Sequence, residues 1–300
     1  MKLDFAEISI NDKAIFDRYL KQYNPQVSEL TFSNLFMWRN FYRLRYAQAE
    51  DVLYVISVPE KGEPFAFMPI GAGDGDGLEK ALEELMNYFR CKGWELRLKR
   101  VPEEELGRFT ELEKYKMEYD LDRDNSDYLY LAEDLYRLSG KKFDGKRNHI
   151  NKFKKQHEFE YVPLSPQYLE ECLRIMDEWC AERDCDEHRG LYCEKLANTE
   201  LLNNMEALGY KGALIKVDGR FEAFTAGEML NGDTAVIHIE KATGKIQGLY
   251  TLINQQFCEK EWKEAKYINR EQDLGLEGLR KAKLSYNPVK LVNKYTISIT

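Results

Sequence analysis

The sequence has no run of the roughly 18–20 apolar residues that a membrane-spanning helix needs. Its first residues, MKLDFAEISIND, carry one lysine and no apolar segment behind it, so they do not read as a secretory signal. A cytoplasmic protein, with any membrane contact peripheral, is the expectation. Several catalytic signatures are missing as well: no P-loop, no G-x-S-x-G, no H-E-x-x-H and no dinucleotide fingerprint. The short DGDG run at 74–77 starts like a calcium loop, but residue 85, where its closing glutamate would stand, is leucine. There is also no C-x2-C knuckle. Cys180, Cys185, His188 and Cys193 are zinc-ligand types, but their spacing is C-x4-C-x2-H-x4-C, and no bound metal is expected. Positive charge is in deficit too. The net charge of -8 excludes a chain that binds nucleic acid through its mean charge, leaving only a local patch for that role.

What is present is core-forming material: 43% hydrophobic residues, including 19 Tyr and 15 Phe, enough for an ordered α/β chain of one large or two medium domains. Residues 30–40 place Phe32, Leu35, Phe36 and Trp38 on a helix-like face. Three strand-like runs follow (41–48, 51–58, 64–70), then the loop GAGDGDG, a long helix stopped by Gly93, a strand, a short helix and an extended stretch. The second half opens with a basic helix over 141–156, followed by a strand and helices over 166–183 and 191–208. Three strands (211–217, 221–230, 234–242), a glycine-entered helix over 244–262, a strand over 265–275, a helix over 275–284 and a closing strand over 289–299 complete it. The halves repeat one another in element order, and Gly71 and Gly244 stand as far apart as Trp94 and Tyr267. The spacing predicts a tandem duplication, with a first domain over 1–125 and a second over 126–300.

This order of elements, with NSDYLYLAEDLYRLSGKKFDGKRNHINKF (125–153), NREQDLGLEGLRKAKLSYNP, SELTF (28–32) and FTAGEML (224–230), resembles a bacterial family grouped with the C-terminal domain of phosphatidylglycerol lysyltransferases. It also resembles the tandem GNAT (acyl-CoA N-acyltransferase-like) fold of the Fem-type aminoacyl-tRNA-dependent transferases. The resemblance implies two GNAT-like α/β (α+β) domains, with the site in the second. It implies an acyl- or aminoacyltransferase: donor aminoacyl-tRNA, acceptor a lipid or an amine. An acyl-coenzyme A-dependent N-acyltransferase and a non-catalytic binder of a phosphate-bearing anion are the alternatives.

In the second half, TAVIHIEK alternates so that His238 and Glu240 share a face, and the run after Tyr267 alternates so that Asn269, Glu271 and Asp273 share one. In a GNAT-like sheet these strands are parallel neighbours that splay apart. Glu240, Asn269, Glu271 and Asp273 are therefore the candidate catalytic residues, with a carboxylate as general base and backbone N–H groups near Lys241 for the oxyanion. Arg280 and Lys283, three apart on a helix, are expected over the same pocket. The other reading is a salt-bridge network of Glu271 and Asp273 with Arg270, Arg280 or Lys283. Gly244, Lys245 and Gly248 at a helix start suit an anion, as in coenzyme A enzymes, although glycines four apart depart from the coenzyme A pattern. The matching loop of the first half offers Asp74 and Asp76 instead, so that copy is expected to carry no cofactor site. Residues 141–155 carry seven cations against one acid, Asp144. Lys142, Lys146 and Arg147, with Asn148 beside them, are the expected contacts to phosphates of tRNA or of an anionic lipid head group.

Overall fold

A computed structural model describes residues 3–112, 114–184 and 189–299. The chain divides into two compact units: Met1–Asp127 with Gln272–Gly275 and Leu291–Thr300, and Tyr128–Glu271 with Leu276–Lys290.

The first unit holds helices α1 (Lys13–Tyr23), α2 (Phe32–Tyr42), α3 (Asp76–Cys91) and α4 (Leu106–Thr110). Its strands are β1 (Ala6–Glu7), β2 (Leu44–Ala49), β3 (Val52–Ser57), β4 (Phe65–Ala66), β5 (Arg97–Pro102), β6 (Met117–Leu121) and β14 (Lys294–Ile299). They form one seven-stranded sheet in the order β1-β2-β3-β4-β5-β14-β6. The long amphipathic helix expected after the GAGDGDG loop is α3. It buries Leu78, Ala81, Leu82, Leu85 and Phe89, spaced three and four apart, in a core with Leu98 and Ile297 of the sheet. The loop before it has a cation after all, contributed from elsewhere: Arg108 pairs with Asp74 at 2.5 Å.

The second unit holds α5 (Ala132–Arg137), α6 (Asp144–Gln156), α7 (Leu169–Ala181), α8 (Arg189–Asn203), α9 (Met205–Leu208), α10 (Leu249–Glu261) and α11 (Glu277–Leu284). Its sheet takes β7 (Asp127–Leu131), β8 (Phe159–Pro163), β9 (Lys211–Val217), β10 (Arg220–Met229), β11 (Thr234–Ala242), β12 (Tyr267–Asn269) and β13 (Lys290–Val292), in the order β13-β7-β12-β11-β10-β9-β8. Here α6 and α10 share one core, with Ile150 and Phe153 of the basic helix packed on Leu249, Leu252 and Ile253.

Read from opposite ends, the two sheets correspond position by position. β4/β5 and β11/β12 are parallel neighbours at the same place, and the pairs around them are antiparallel. The sixth position differs in origin. In the first sheet it is filled by β14 from the end of the chain, and in the second by β7, which follows β6 directly. The copies have exchanged one strand. The run over 289–299, read from sequence as closing the second copy, is thus two strands, and its longer part completes the first sheet.

A second correction concerns 265–275. The strand there ends at Asn269. The buried Asn269 side chain accepts the N–H of Glu271 at 2.8 Å, and Glu271 takes a left-handed φ of 54°. A side chain that bonds the backbone two residues on competes with the ladder, and the strand stops. Asp273 does the same for the N–H of Gly275 at 2.9 Å.

Candidate active site

β11 and β12 pair in parallel at Thr234–Tyr267, Ala235–Ile268 and Val236–Asn269, and pair no further. Beyond Val236 the strands are linked by side chains. Glu240 accepts from the Arg270 guanidinium at 2.8 Å and, through its second oxygen, from Asn254 on α10 at 2.9 Å. His238 Nδ1 lies 2.9 Å from Glu271 and its Nε2 2.9 Å from Glu228 on β10. The left-handed turn at Glu271 lets the consecutive residues Arg270 and Glu271 both reach back to β11, which strict alternation would forbid.

His238 owes its position to a bulge. Ala226 pairs with Ile239 and Gly227 with Ile237, which leaves His238 as the extra residue. Gly227 makes room for this: a Cβ there would lie 2.4 Å from the Val236 carbonyl oxygen. Burial alone would lower the His238 pKa, but the hydrogen bonds and charges of Glu228 and Glu271 outweigh it and raise the group to about 9. At neutral pH the ring is an imidazolium donating from both nitrogens.

Beside the Glu240–Arg270 pair lies a cationic and aromatic wall. The Arg270 guanidinium sits 4.6 Å from the Tyr286 ring centroid. Lys283 donates to the carbonyl oxygens of Arg270 and Glu271. Lys146 donates to Ser285 Oγ at 2.7 Å and lies 3.7 Å from the Tyr286 centroid. Burial, and then repulsion from Arg270, lower the Lys146 ammonium to about 8, with Glu240 opposing.

The expected site residues fall into two groups. Glu240, Glu271, Lys283 and Lys146 meet in the second unit within this network, and Asn269 shapes its turn. Asp273 does not join them. It belongs to the first unit, where it is buried and lies 3.2 Å from Arg123. Arg280 is half-buried on α11. Lys241 lies on the strand face opposite Glu240, buried between the Trp179 ring at 3.5 Å and Glu194 at 2.6 Å. Of the basic-helix cations, Lys142 pairs with Asp134 at 2.7 Å, and Arg147 with Asp144 and the carbonyls of Leu138 and Gly140. Asn148 is exposed.

The loop from Gly244 to Gly248 meets acceptors. The Gly244 N–H donates to Glu182 at 3.1 Å, and the His149 carbonyl oxygen lies 2.7 Å from where a Gly248 Cβ would be. Lys245 is exposed. A phosphate at the Gly244 N–H would have to displace the Glu182 carboxylate, which repels it.

Glu228 was not read from the sequence, and Arg270 was read as a partner of Glu271 or Asp273, whereas it pairs with Glu240; these contacts depend on the bulge and on the turn. Gly227 inside the strand run FTAGEML was the available signal, since an isolated strand glycine marks a bulge or a close approach. Of the zinc-type cluster, Cys185 and His188 lie outside the described residues. Cys180 and Cys193 are buried, and no group of three or more possible metal ligands occurs among the described residues. No described helix is long and apolar enough to cross a membrane.

The family model for the C-terminal region of phosphatidylglycerol lysyltransferase matches residues 20–298. A crystal structure of a conserved protein of unknown function from Bacteroides thetaiotaomicron is 35% identical, covers 99% of this chain and 100% of its own, and superposes with a TM-score of 0.93. L-PGS from Bacillus licheniformis is 17% identical, with a TM-score of 0.66 over 96% of this chain and 91% of its own. A tandem GNAT protein from the clavulanic acid biosynthesis pathway is 9% identical, with a TM-score of 0.53 over 98% of each chain. The last two likenesses are of fold, and they make the two units GNAT-like domains. An uncharacterized protein of Mycoplasmoides gallisepticum is 26% identical over 199 residues, and the match spans only 62% of that protein's length.

Proposed function

Because the chain belongs to the family of phosphatidylglycerol lysyltransferase C-terminal domains, we propose that it moves an aminoacyl group from an aminoacyl-tRNA ester to the hydroxyl of an anionic lipid, or to an amine, where β11 and β12 part. Family and fold give the coarser statement, a relative of acyl- and aminoacyltransferases. The observation that carries the finer one is the Glu271 carboxylate, fixed by the buried His238 imidazolium at 2.9 Å, on a turn whose carbonyl oxygens hold the Lys283 ammonium.

In this reading Glu271 is the general base. The acceptor oxygen bonds to the acyl carbon while its proton passes to Glu271. The donor ester C–O bond then breaks, and the proton goes to the departing ribose oxygen. Lys146 and Lys283 supply positive charge to the phosphates and to the carbonyl oxygen as it becomes an oxyanion. His238 and the Glu240–Arg270 pair are positioning groups. The Glu182 carboxylate already held by the Gly244 N–H weighs against a coenzyme A ester as donor.

The test is transfer of a labelled amino acid from charged tRNA to phosphatidylglycerol vesicles or to small amines. Glu271→Gln should remove turnover in a chain that still folds by circular dichroism, with some loss of stability because His238 then keeps only Glu228 as a carboxylate partner. Turnover that survives this change would remove Glu271 from the chemistry. Tight donor binding with no product from any acceptor would favour a binding protein instead.

A further inference from the structure

Helix α11 buries none of its residues, and its leucines are more exposed than two of its cations. Arg280, Lys283 and Tyr286, three apart, are the residues turned to the body: the first two are half-buried and Tyr286 is buried. Lys283 is held there by the carbonyl oxygens of Arg270 and Glu271. The apolar side chains are left outside. Leu276, Leu279 and Leu284 expose 53%, 37% and 48% of their surface, and Val289, just beyond the helix, 45%. A surface helix ordinarily buries its leucines and shows its lysines, and clustered exposed apolar side chains mark an interaction surface.

Charge says what the surface fits. Residues 276–290 carry four cations (Arg280, Lys281, Lys283 and Lys290) against one acid, Glu277, in a chain of net charge -8. Lys281 and Lys290 are exposed among the apolar side chains. The segment also adjoins the other cationic region, because Lys146 of the basic helix bonds Ser285 directly after α11. Leucines that project separately, with lysines between them, suit the interface of a lipid bilayer, where each apolar side chain enters between head groups and each ammonium meets a phosphate.

We infer that α11 and the residues up to Lys290 form a peripheral docking face for an anionic lipid bilayer. The face would bring lipid head groups to the Lys146 side of the site. The inference rests on the transferase reading only in taking the docked lipid as acceptor; binding itself is read without turnover.

The experiment is co-sedimentation of the full chain with vesicles of phosphatidylcholine alone and of phosphatidylcholine mixed with phosphatidylglycerol, across a salt series. Binding should require the anionic lipid and weaken with salt. It should fall about tenfold or more in Leu279→Glu/Leu284→Glu and in Lys281→Glu/Lys290→Glu, by the loss of apolar insertion and of charge attraction respectively. These side chains are exposed, and unchanged circular dichroism checks that each variant is folded. Three results overturn the inference: no binding to anionic vesicles, binding indifferent to both variants, or a concentration-dependent dimer that the leucine variant abolishes. Loss of aminoacyl transfer with intact vesicle binding would count against the transferase reading alone.

Discussion

His238 Nδ1 and the Glu271 carboxylate lie 2.9 Å apart, with the imidazole buried and a second carboxylate, Glu228, 2.9 Å from its other nitrogen. The folded state holds the imidazole pKa at about 9, above its ordinary 6.5. For a group raised on folding, the stabilisation is whole below the unfolded value and is lost as pH rises through the folded one. The wild type should therefore lose stability relative to His238→Gln between about pH 6.5 and pH 9, by at most about 3 kcal/mol. Denaturant unfolding of both proteins across this range measures it. A constant difference would mean that the imidazolium is not what holds the two carboxylates.

Gly227→Ala should be costly although it adds one methyl group. Its Cβ would press on the Val236 carbonyl oxygen at 2.4 Å, and relief requires β10 and β11 to shift at the His238 bulge. Overpacking of this kind costs about 1–3 kcal/mol. The unfolding midpoint should drop, and the high-pH stability loss attributed to His238 should shrink with it. A neutral substitution would show that the bulge has slack.

In the first unit Lys294, fully buried, lies 2.5 Å from Glu29 and 2.6 Å from Asp127, and Arg100 reaches Glu29 at 3.1 Å. Lys294→Met keeps the volume but takes the cation from Asp127 and leaves Glu29 with Arg100 alone. Removing one partner of a buried ion pair costs about 3–5 kcal/mol. Chemical denaturation should show a loss of that size. Adding Asp127→Asn and Glu29→Gln to Lys294→Met should recover part of it.

Coenzyme A should show no saturable binding by calorimetry, because the loop from Gly244 to Gly248 faces Glu182 and the His149 carbonyl. Saturable binding abolished by Lys245→Ala would reverse this reading.

The sequence was legible where one physical signal dominates. Leu78, Leu82, Leu85 and Phe89 repeat at helical spacing, so α3 could be read directly, and the glycine spacing of the halves revealed the duplication. Period-two alternation failed after Asn269, because a side-chain bond to the Glu271 N–H is a local competitor that leaves the hydrophobic pattern unchanged. That single turn brings Arg270 to Glu240 and sends Asp273 elsewhere. Lys142 and Arg147 were chosen by charge density, which does not reveal that each has a carboxylate partner, Asp134 on α5 and Asp144 on α6. The exchange of β7 and β14 was illegible for another reason: a strand read alone does not say which of two similar sheets will take it.

That exchange sets an order of events during synthesis. The slot between β5 and β6 is filled by Lys294–Ile299, so the first sheet must wait, with two strand edges unpaired, until almost the whole second domain has left the ribosome. A nascent chain stalled before residue 294 would display those edges to chaperones and to other chains. The N-terminal half expressed alone lacks the same strand, and so would a fragment cut at any single point between the copies.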